Sequence, residues 1–296
     1  MKTGGFYIVY AFIWLLTLLP LRILYIFSDF AFLVVYYLIG YRKKVVQDNL
    51  RYAFPDQPED EIKAISKRFF HHFCDFLIES VKLIHLSQKE IDKRFRYINA
   101  DLFDKYYEAG KSVVLVLGHY GNWEWVANCT SKIRHEPYAI YKPLRNEKFD
   151  QLLLSIRTKW QMAALPMNDV IRLVIQKEKE KVRIITSFLV DQTPPRSYHF
   201  WIRFMNRETP FYTGPAKIAR KFGHPVIYMK VQKVKRGYYT VGFFPLFDEP
   251  AKATENDIIT RVVEVLEETI REKPEYWLWS HRRWKHNKEN LPQTNN

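Results

Sequence analysis

Apolar sequence runs almost unbroken from Gly5 to Tyr41, and nothing else in the 296-residue chain limits its fold as strongly. The first half, GFYIVYAFIWLLTLLP, ends at Pro20; LRILYIFSDFAFLVVYYLIGY follows, carrying Arg22 and Asp29. A spanning helix needs about 20 apolar residues, and each half is either short or charged. A bent hairpin and a spanning helix followed by an interfacial one are both open, and a hydrophobic helix pair buried in a soluble fold is the alternative. A cleaved signal peptide fits poorly, because no small-residue cleavage site is present and apolar sequence continues past Pro20. Arg42, Lys43 and Lys44 come directly after the block, and the positive-inside rule places that end in the cytoplasm. The expected organisation is a membrane anchor over 1–44, a domain at the cytoplasmic face over 45–290, and a disordered tail, LPQTNN, over 291–296.

A formal net charge of +14 calls for anionic partners: nucleic acid, anionic lipid headgroups, phosphorylated substrates or an acidic protein. With 47% hydrophobic residues the chain is not disordered. Cys74 and Cys129 have no metal-ligand spacing and suggest no disulfide framework, which fits a reducing compartment. No P-loop, dinucleotide fingerprint or zinc motif occurs, so no cofactor and no metal is expected.

Beyond the anchor the hydrophobic period is first helical. Ile62, Ile65, Phe69, Phe73, Phe76, Leu77 and Val81 recur at three-to-four spacing within Glu59–Leu86, and Ser87 caps a polar helix that begins QKEIDKRF. The period then changes. Ser112 to Leu117 (SVVLVL) reads as a buried parallel strand, Pro137 to Tyr141 as a short strand and Arg183 to Val190 as a further strand. Trp123 to Ser131, Phe149 to Trp160, Asp169 to Lys179, Gly214 to Phe222 and Asp257 to Arg271 read as helices. Pro225 to Val234 and Tyr238 to Phe247 read as a strand pair turning at Lys235-Arg236-Gly237. Strands alternating with helices predict an α/β domain whose mixed, mostly parallel sheet is covered by helices.

The segment LGHYGNWEW, Leu117 to Trp125, carries the chemistry. A strand ends at Gly118, so His119 lies at the carboxyl edge of the sheet, where open α/β folds bind ligands. Gly121 permits a tight turn, and Asn122 is a good N-cap for the following helix. Glu124 then sits in the first helical turn, from which a fold-back brings its carboxylate to the imidazole. One ring nitrogen is fixed by that carboxylate, and the other takes a proton from a hydroxyl or amine. This is the base-and-orienter half of a catalytic triad without a protein nucleophile. By spacing alone, H-x4-E is common, and a satisfied loop histidine is the alternative.

GHYGNWE resembles the H-x4-[DE] block of the lysophospholipid acyltransferase superfamily. It is more closely similar to the late acyltransferases of lipid A biosynthesis, the lauroyl and myristoyl transferases, in which GHxGNWE is typical. VVQDNLRYAFPD (Val45 to Asp56), YKPLRN (Tyr141 to Asn146), FLVDQTP (Phe188 to Pro194), FYTGPAKIARKFGHPVI (Phe211 to Ile227) and PEYWLWSHRRWK (Pro274 to Lys285) resemble further blocks of that family in the same order. The resemblance spans Val45 to Lys285. It implies a glycerol-phosphate-acyltransferase-like fold, with His119 as general base and Glu124 as its partner. It also implies acyl carrier protein or coenzyme A as donor carrier, and a membrane lipid acceptor, most of all a lipid A precursor. The setting it implies is the anionic cytoplasmic face of the cell inner membrane.

Gly121, Asn122, Lys142, Arg145, Asp191 and Arg203 are the expected substrate-binding residues. Lys142 stands where the family has Arg; it supplies charge but no bidentate fork, and Arg145 follows three residues later. Thr193 stands where the family often has a second acidic residue. Lys142 and Arg145 bind phosphate or form a solvated basic loop. Arg203 and Arg207 line the same cleft or are solvated. Asp191, at a strand end, faces the cleft or binds the following turn. Packing accounts best for the tryptophans of YWLWSHRRWK, leaving its Arg and Lys residues exposed. His71 and His72 have no ligand-like partner in sequence. Within the acyltransferase reading, lysophospholipids, acylated amino-acid lipids and glycolipids are other acceptors. A non-catalytic membrane-surface lipid binder is the rival of another class. A nucleic-acid binder is prompted only by charge and lacks a motif.

Overall fold

The computed structural model describes residues 3–143, 146–195 and 200–286. Arg145, the tail 291–296 and the last residues of the expected domain lie outside the described residues.

Helix α1 (Thr3–Leu16) is followed by Pro20, which breaks the apolar block, and by α2 (Leu21–Leu33), whose last part widens into a π-helix, Val34–Ile39. Among the described residues, Leu21–Ile39 is the one helix long and apolar enough to cross a membrane. One face of α2 is nevertheless packed on protein: Leu21, Leu24, Ser28 and Phe32 are buried. Burial of Leu24 and Phe32 contributes about 2 kcal/mol each. The opposite face exposes Ile23, Ile26, Phe27, Phe30 and Leu33.

Helix α3 (Lys43–Ala53) leads to α4 (Glu59–Lys82), which ends four residues earlier than the periodicity through Leu86 suggests. Here His85 and Leu86 turn away ahead of α5 (Gln88–Arg94), whose N-terminal Glu90 N–H is capped by Ser87 Oγ as expected. Strand β1 (Phe95–Tyr97) and α6 (Leu102–Glu108) come next; the sequence shows no clear period for either.

The central sheet has the strand order β1-β9-β8-β2-β5-β3-β4. Its strands are β2 (Val113–Leu117), β3 (Glu136–Tyr141), β4 (Ala163–Pro166), β5 (Ile184–Leu189), β8 (Val226–Lys235) and β9 (Tyr238–Phe247), with β1 at one edge. Only β8 and β9 pair antiparallel; the other neighbours run parallel. The expected mixed, mostly parallel α/β sheet is present. Strand β2 is VVLVL and buried at every position, as a parallel strand covered on both faces must be. Its even and odd residues enter separate cores. Val114 and Val116 belong to the core that also holds Ile258, Val262 and Leu266 of α10 (Glu255–Glu272). Val113, Leu115 and Leu117 belong to the one that holds Ile91, Phe103 and Leu24.

Helices α7 (Glu147–Thr158), α8 (Val170–Lys179) and α9 (Gly214–Phe222) match the periodic segments closely. The segment WIRFMNRETP is a separate antiparallel hairpin, β6 (Trp201–Phe204) with β7 (Arg207–Pro210). It turns at Met205 and Asn206, both at positive φ. Trp123–Lys132 is a 3-10 helix rather than an α-helix.

Polar contacts pin α2 to the domain. Arg236, at the β8–β9 turn, donates to Asp29 Oδ1 of α2 and to Asp75 Oδ1 of α4, both at 2.6 Å. Ser28 Oγ donates to Asp75 at 2.8 Å. His71, which has no evident partner in sequence, lies 3.0 Å from Asp29.

Candidate active site

Strands β2 and β5 are parallel neighbours in register, with Leu117 opposite Leu189. Two residues beyond each strand come His119 and Asp191, so the pairing itself delivers both side chains to one point on the carboxyl edge of the sheet. His119 Nδ1 lies 2.6 Å from Asp191 Oδ1, and the His119 backbone N–H donates to Asp191 Oδ2 at 2.7 Å. The indole N–H of Trp277 donates to the same Oδ2 at 2.7 Å. The carboxylate is 2% exposed and the histidine 7%. Burial acts to raise the Asp191 carboxyl; the charge and hydrogen bonds of His119, with the bond from Trp277, outweigh it and hold the group at about 2. An ionised Asp191 fixes the imidazole with its proton on Nδ1. The lone pair on Nε2 then faces Gln192, whose side-chain amide lies 3.2 Å away.

The structure does not bring the two residues of the expected dyad together. The imidazole partner is Asp191, and Glu124 is engaged elsewhere. Its two carboxylate oxygens accept from Arg157 Nη2 and Nε of α7 at 2.8 and 3.1 Å. The chain does not fold Glu124 back because the intervening turn is committed in another direction. Asn122 is buried; its Oδ1 accepts from the Trp125 N–H and its Nδ2 donates to Glu79 of α4 at 2.7 Å. Both ends of that amide are used by the protein. Gly121 has φ +62°, and a Cβ there would stand 3.0 Å from the Val231 carbonyl oxygen, so glycine is required on two counts. Its N–H donates to the Tyr276 carbonyl at 3.0 Å.

The C-terminal segment straps this turn down. Leu278 N–H donates to the His119 carbonyl at 3.1 Å. Trp277 and Trp279 are buried, as the packing reading of YWLWSHRRWK expects. Arg283 departs from that reading. It is fully buried against Phe211, and donates to the Pro210 carbonyl at 2.7 Å. Thr193 caps the strap, accepting from or donating to His281 at 3.1 Å and donating to the Arg283 carbonyl at 2.8 Å. Burial pushes His281 down to about 4, so it is neutral near pH 7.

The two remaining expected cations are exposed. Lys142 follows β3, which runs parallel beside β5, and so leaves the sheet at the same edge as Asp191. Arg203 lies on β6, opposite Glu208. A small recess adjoins the histidine. His119, Asp191, Gln192, Trp277, Leu278 and His281 line its polar part. Trp277 and Leu278 also border an apolar part walled by Phe69, Phe73, Phe76, Trp123 and Tyr276. Trp123 lines the apolar part, its ring 5.1 Å from His119 and stacked on Phe76 at 3.9 Å.

Arg157 and Glu79 carry no motif signal of their own, whereas Gln192 and Trp277 lie in the blocks FLVDQTP and PEYWLWSHRRWK. Asp191 carries a positional signal: like His119, it lies just past a strand end. The arrangement can accept a proton at Nε2 and stabilise the resulting imidazolium through Asp191. Among known proteins, the family model described as bacterial lipid A biosynthesis acyltransferase matches residues 1–286. No match was found among curated proteins.

Proposed function

This chain belongs to the bacterial lipid A biosynthesis acyltransferase family and is an acyltransferase, and we propose that it acylates a hydroxyl of a lipid A precursor with His119 as general base. The donor is a fatty acyl thioester of acyl carrier protein or coenzyme A. The observation that carries this reading is the 2.6 Å pairing of His119 Nδ1 with an ionised, buried Asp191, which leaves Nε2 as the proton acceptor.

The acceptor hydroxyl displaces the Gln192 amide from Nε2 and gives up its proton there as its oxygen bonds to the thioester carbon. The Gln192 amide, released from the imidazole, donates to the developing oxyanion. The intermediate collapses with cleavage of the carbon–sulfur bond, and the imidazolium returns its proton to the leaving thiolate. Asp191 stabilises the imidazolium in between. Glu124 acts through Arg157, fixing α7 against the catalytic turn. The acyl chain enters beside Phe76 and Trp123, which part to admit it, since the recess between them is no larger than a water molecule. Lys142 and Arg203 meet phosphate groups of acceptor or donor, and the basic balance of the chain suits an anionic carrier and membrane surface. Helix α2 and its exposed apolar face hold the domain at the cytoplasmic side of the inner membrane.

Acyl transfer by the purified protein in detergent tests the reading. Acyl carrier protein thioesters of several lengths and a panel of lipid acceptors are supplied, with His119→Ala alongside. Transfer to a lipid A precursor that vanishes in the variant is the expected result. Transfer to another lipid alone would move the acceptor, and no transfer by a folded, lipid-binding protein would replace catalysis with lipid binding.

A further inference from the structure

Glu79 is a carboxylate with no exposure at all, near the C-terminal end of α4. A buried charge needs several donors, and three reach it from three different parts of the fold. Tyr25 of α2 donates its hydroxyl to Oε1 at 2.8 Å. Asn122 of the catalytic turn donates Nδ2 to Oε2 at 2.7 Å. Tyr239 of β9 donates its hydroxyl to the same oxygen, also at 2.7 Å. The main chain of the same residue takes a fourth bond, from the Trp125 indole N–H to the Glu79 carbonyl at 3.0 Å.

Two of these four bonds grip the segment just after His119. Asn122 and Trp125 flank Trp123 and Glu124, and Trp123 touches the His119 ring. The Asn122 amide has one orientation that satisfies both of its neighbours, oxygen to the Trp125 N–H and nitrogen to Glu79. On its far side Glu79 is held by Tyr25, whose helix also carries the apolar face Ile23, Ile26, Phe27 and Phe30. A short polar path therefore runs from the lipid-facing helix to the catalytic turn.

We propose that Glu79 is a positioning residue that ties helix α2 to the His119–Trp125 turn, so that seating of this helix sets the geometry of the catalytic histidine. This rests on His119 being the general base. Loss of the Tyr25 hydroxyl slackens the turn and lowers turnover, while the donor site is untouched.

The full-length protein in detergent is compared as wild type, Tyr25→Phe, Glu79→Leu and Glu79→Gln, with Tyr37→Phe as a control on an exposed tyrosine of the same helix. Three quantities are read: kcat and KM for an acyl carrier protein thioester, the melting temperature, and the rate at which diethyl pyrocarbonate modifies His119, followed by peptide mapping. Tyr25→Phe is expected to lose about tenfold in kcat at unchanged KM and to speed modification of His119. Glu79→Gln restores most of the rate lost in Glu79→Leu, because its amide oxygen accepts from Asn122 and Tyr239 while its NH2 donates to Tyr25. Tyr37→Phe changes neither quantity. A Tyr25→Phe protein with wild-type kcat and wild-type His119 reactivity overturns the proposal, as does a kcat loss that only tracks a lowered melting temperature. If Glu79→Leu does not fold, Tyr25→Phe decides alone. If wild type transfers no acyl group, the reading of His119 as base fails, and the modification rate still decides whether Tyr25 and Glu79 hold the turn.

Discussion

Replacing Asp191 with Asn keeps the shape of the site and removes its charge. Three N–H groups point at the native carboxylate: the His119 backbone N–H, the His119 ring Nδ1–H and the Trp277 indole. An Asn side chain offers one acceptor oxygen and an NH2 group, so at least one donor is turned away, and an NH2 facing Nδ1 favours the tautomer with its proton on Nε2. That tautomer cannot act as base. The Asp191 carboxyl stands at about 2 against an ordinary 3.8, so the folded protein favours the charged pair by an amount on the order of a few kcal/mol. Loss of that preference lowers kcat/KM by on the order of tenfold or more, and tautomer inversion carries the loss towards about 10⁴-fold, as for the orienting carboxylate of hydrolase triads. Steady-state transfer with a saturating acceptor measures it, and the acid side of the melting curve gives an independent check. A carboxyl with a depressed folded value stabilises the fold above its unfolded value near 4, and that contribution is lost as pH falls towards 2. Wild type shows this loss, and Asp191→Asn lacks it. An Asp191→Asn enzyme within a few-fold of wild type, with Glu124→Gln inactive at an unchanged melting temperature, would refute the assignment and return the orienting role to Glu124.

Other expectations follow from the same geometry. Glu124→Gln leaves Arg157, itself largely buried, without its counter-charge; a stability loss of about 1–3 kcal/mol and a lower melting temperature accompany the rate loss, with Arg157→Ala close behind and the double variant not additive. His281, held at about 4 by burial, takes up a proton on unfolding as pH falls from about 6.5 to 4, so stability drops over that window; His281→Gln, which can still accept from Thr193, flattens it in pH-dependent melts. Phe76→Ala opens the apolar recess beyond Trp123 and shifts donor preference to longer acyl chains in competition assays, whereas an unchanged preference places the chain elsewhere. Ile26→Lys with Phe30→Lys, both on the exposed face of α2, lowers co-sedimentation with anionic lipid vesicles while sparing the fold.

The sequence disclosed those features whose cause is local. A continuous apolar run marked β2, because a strand covered on both faces admits no polar alternation. Amphipathic spacing marked α4, α9 and α10, because each buries a single stripe. The hairpin β6–β7 stayed hidden, since WIRFMNRETP turns on Met205 and Asn206 at positive φ without a glycine. Arg283 was expected at the surface because arginine is seldom fully buried; only the tertiary stacking on Phe211 explains its place.

The partner of His119 shows where local reading stops. Spacing within one segment offers Glu124, five residues away in sequence, and nothing in that segment competes with it. Asp191 is 72 positions distant, and its claim depends on which strands are neighbours and in what register. Once Leu117 stands opposite Leu189, a residue two past each strand end must share the same edge, and the carboxylate at that point is Asp191. Glu124 is then free to serve Arg157, while Asn122 spends its amide on Glu79 and holds the turn away from a fold-back. The His119–Asp191 pairing is therefore a property of the sheet register, while Glu124 of the H-x4-E spacing pairs with the neighbouring helix α7.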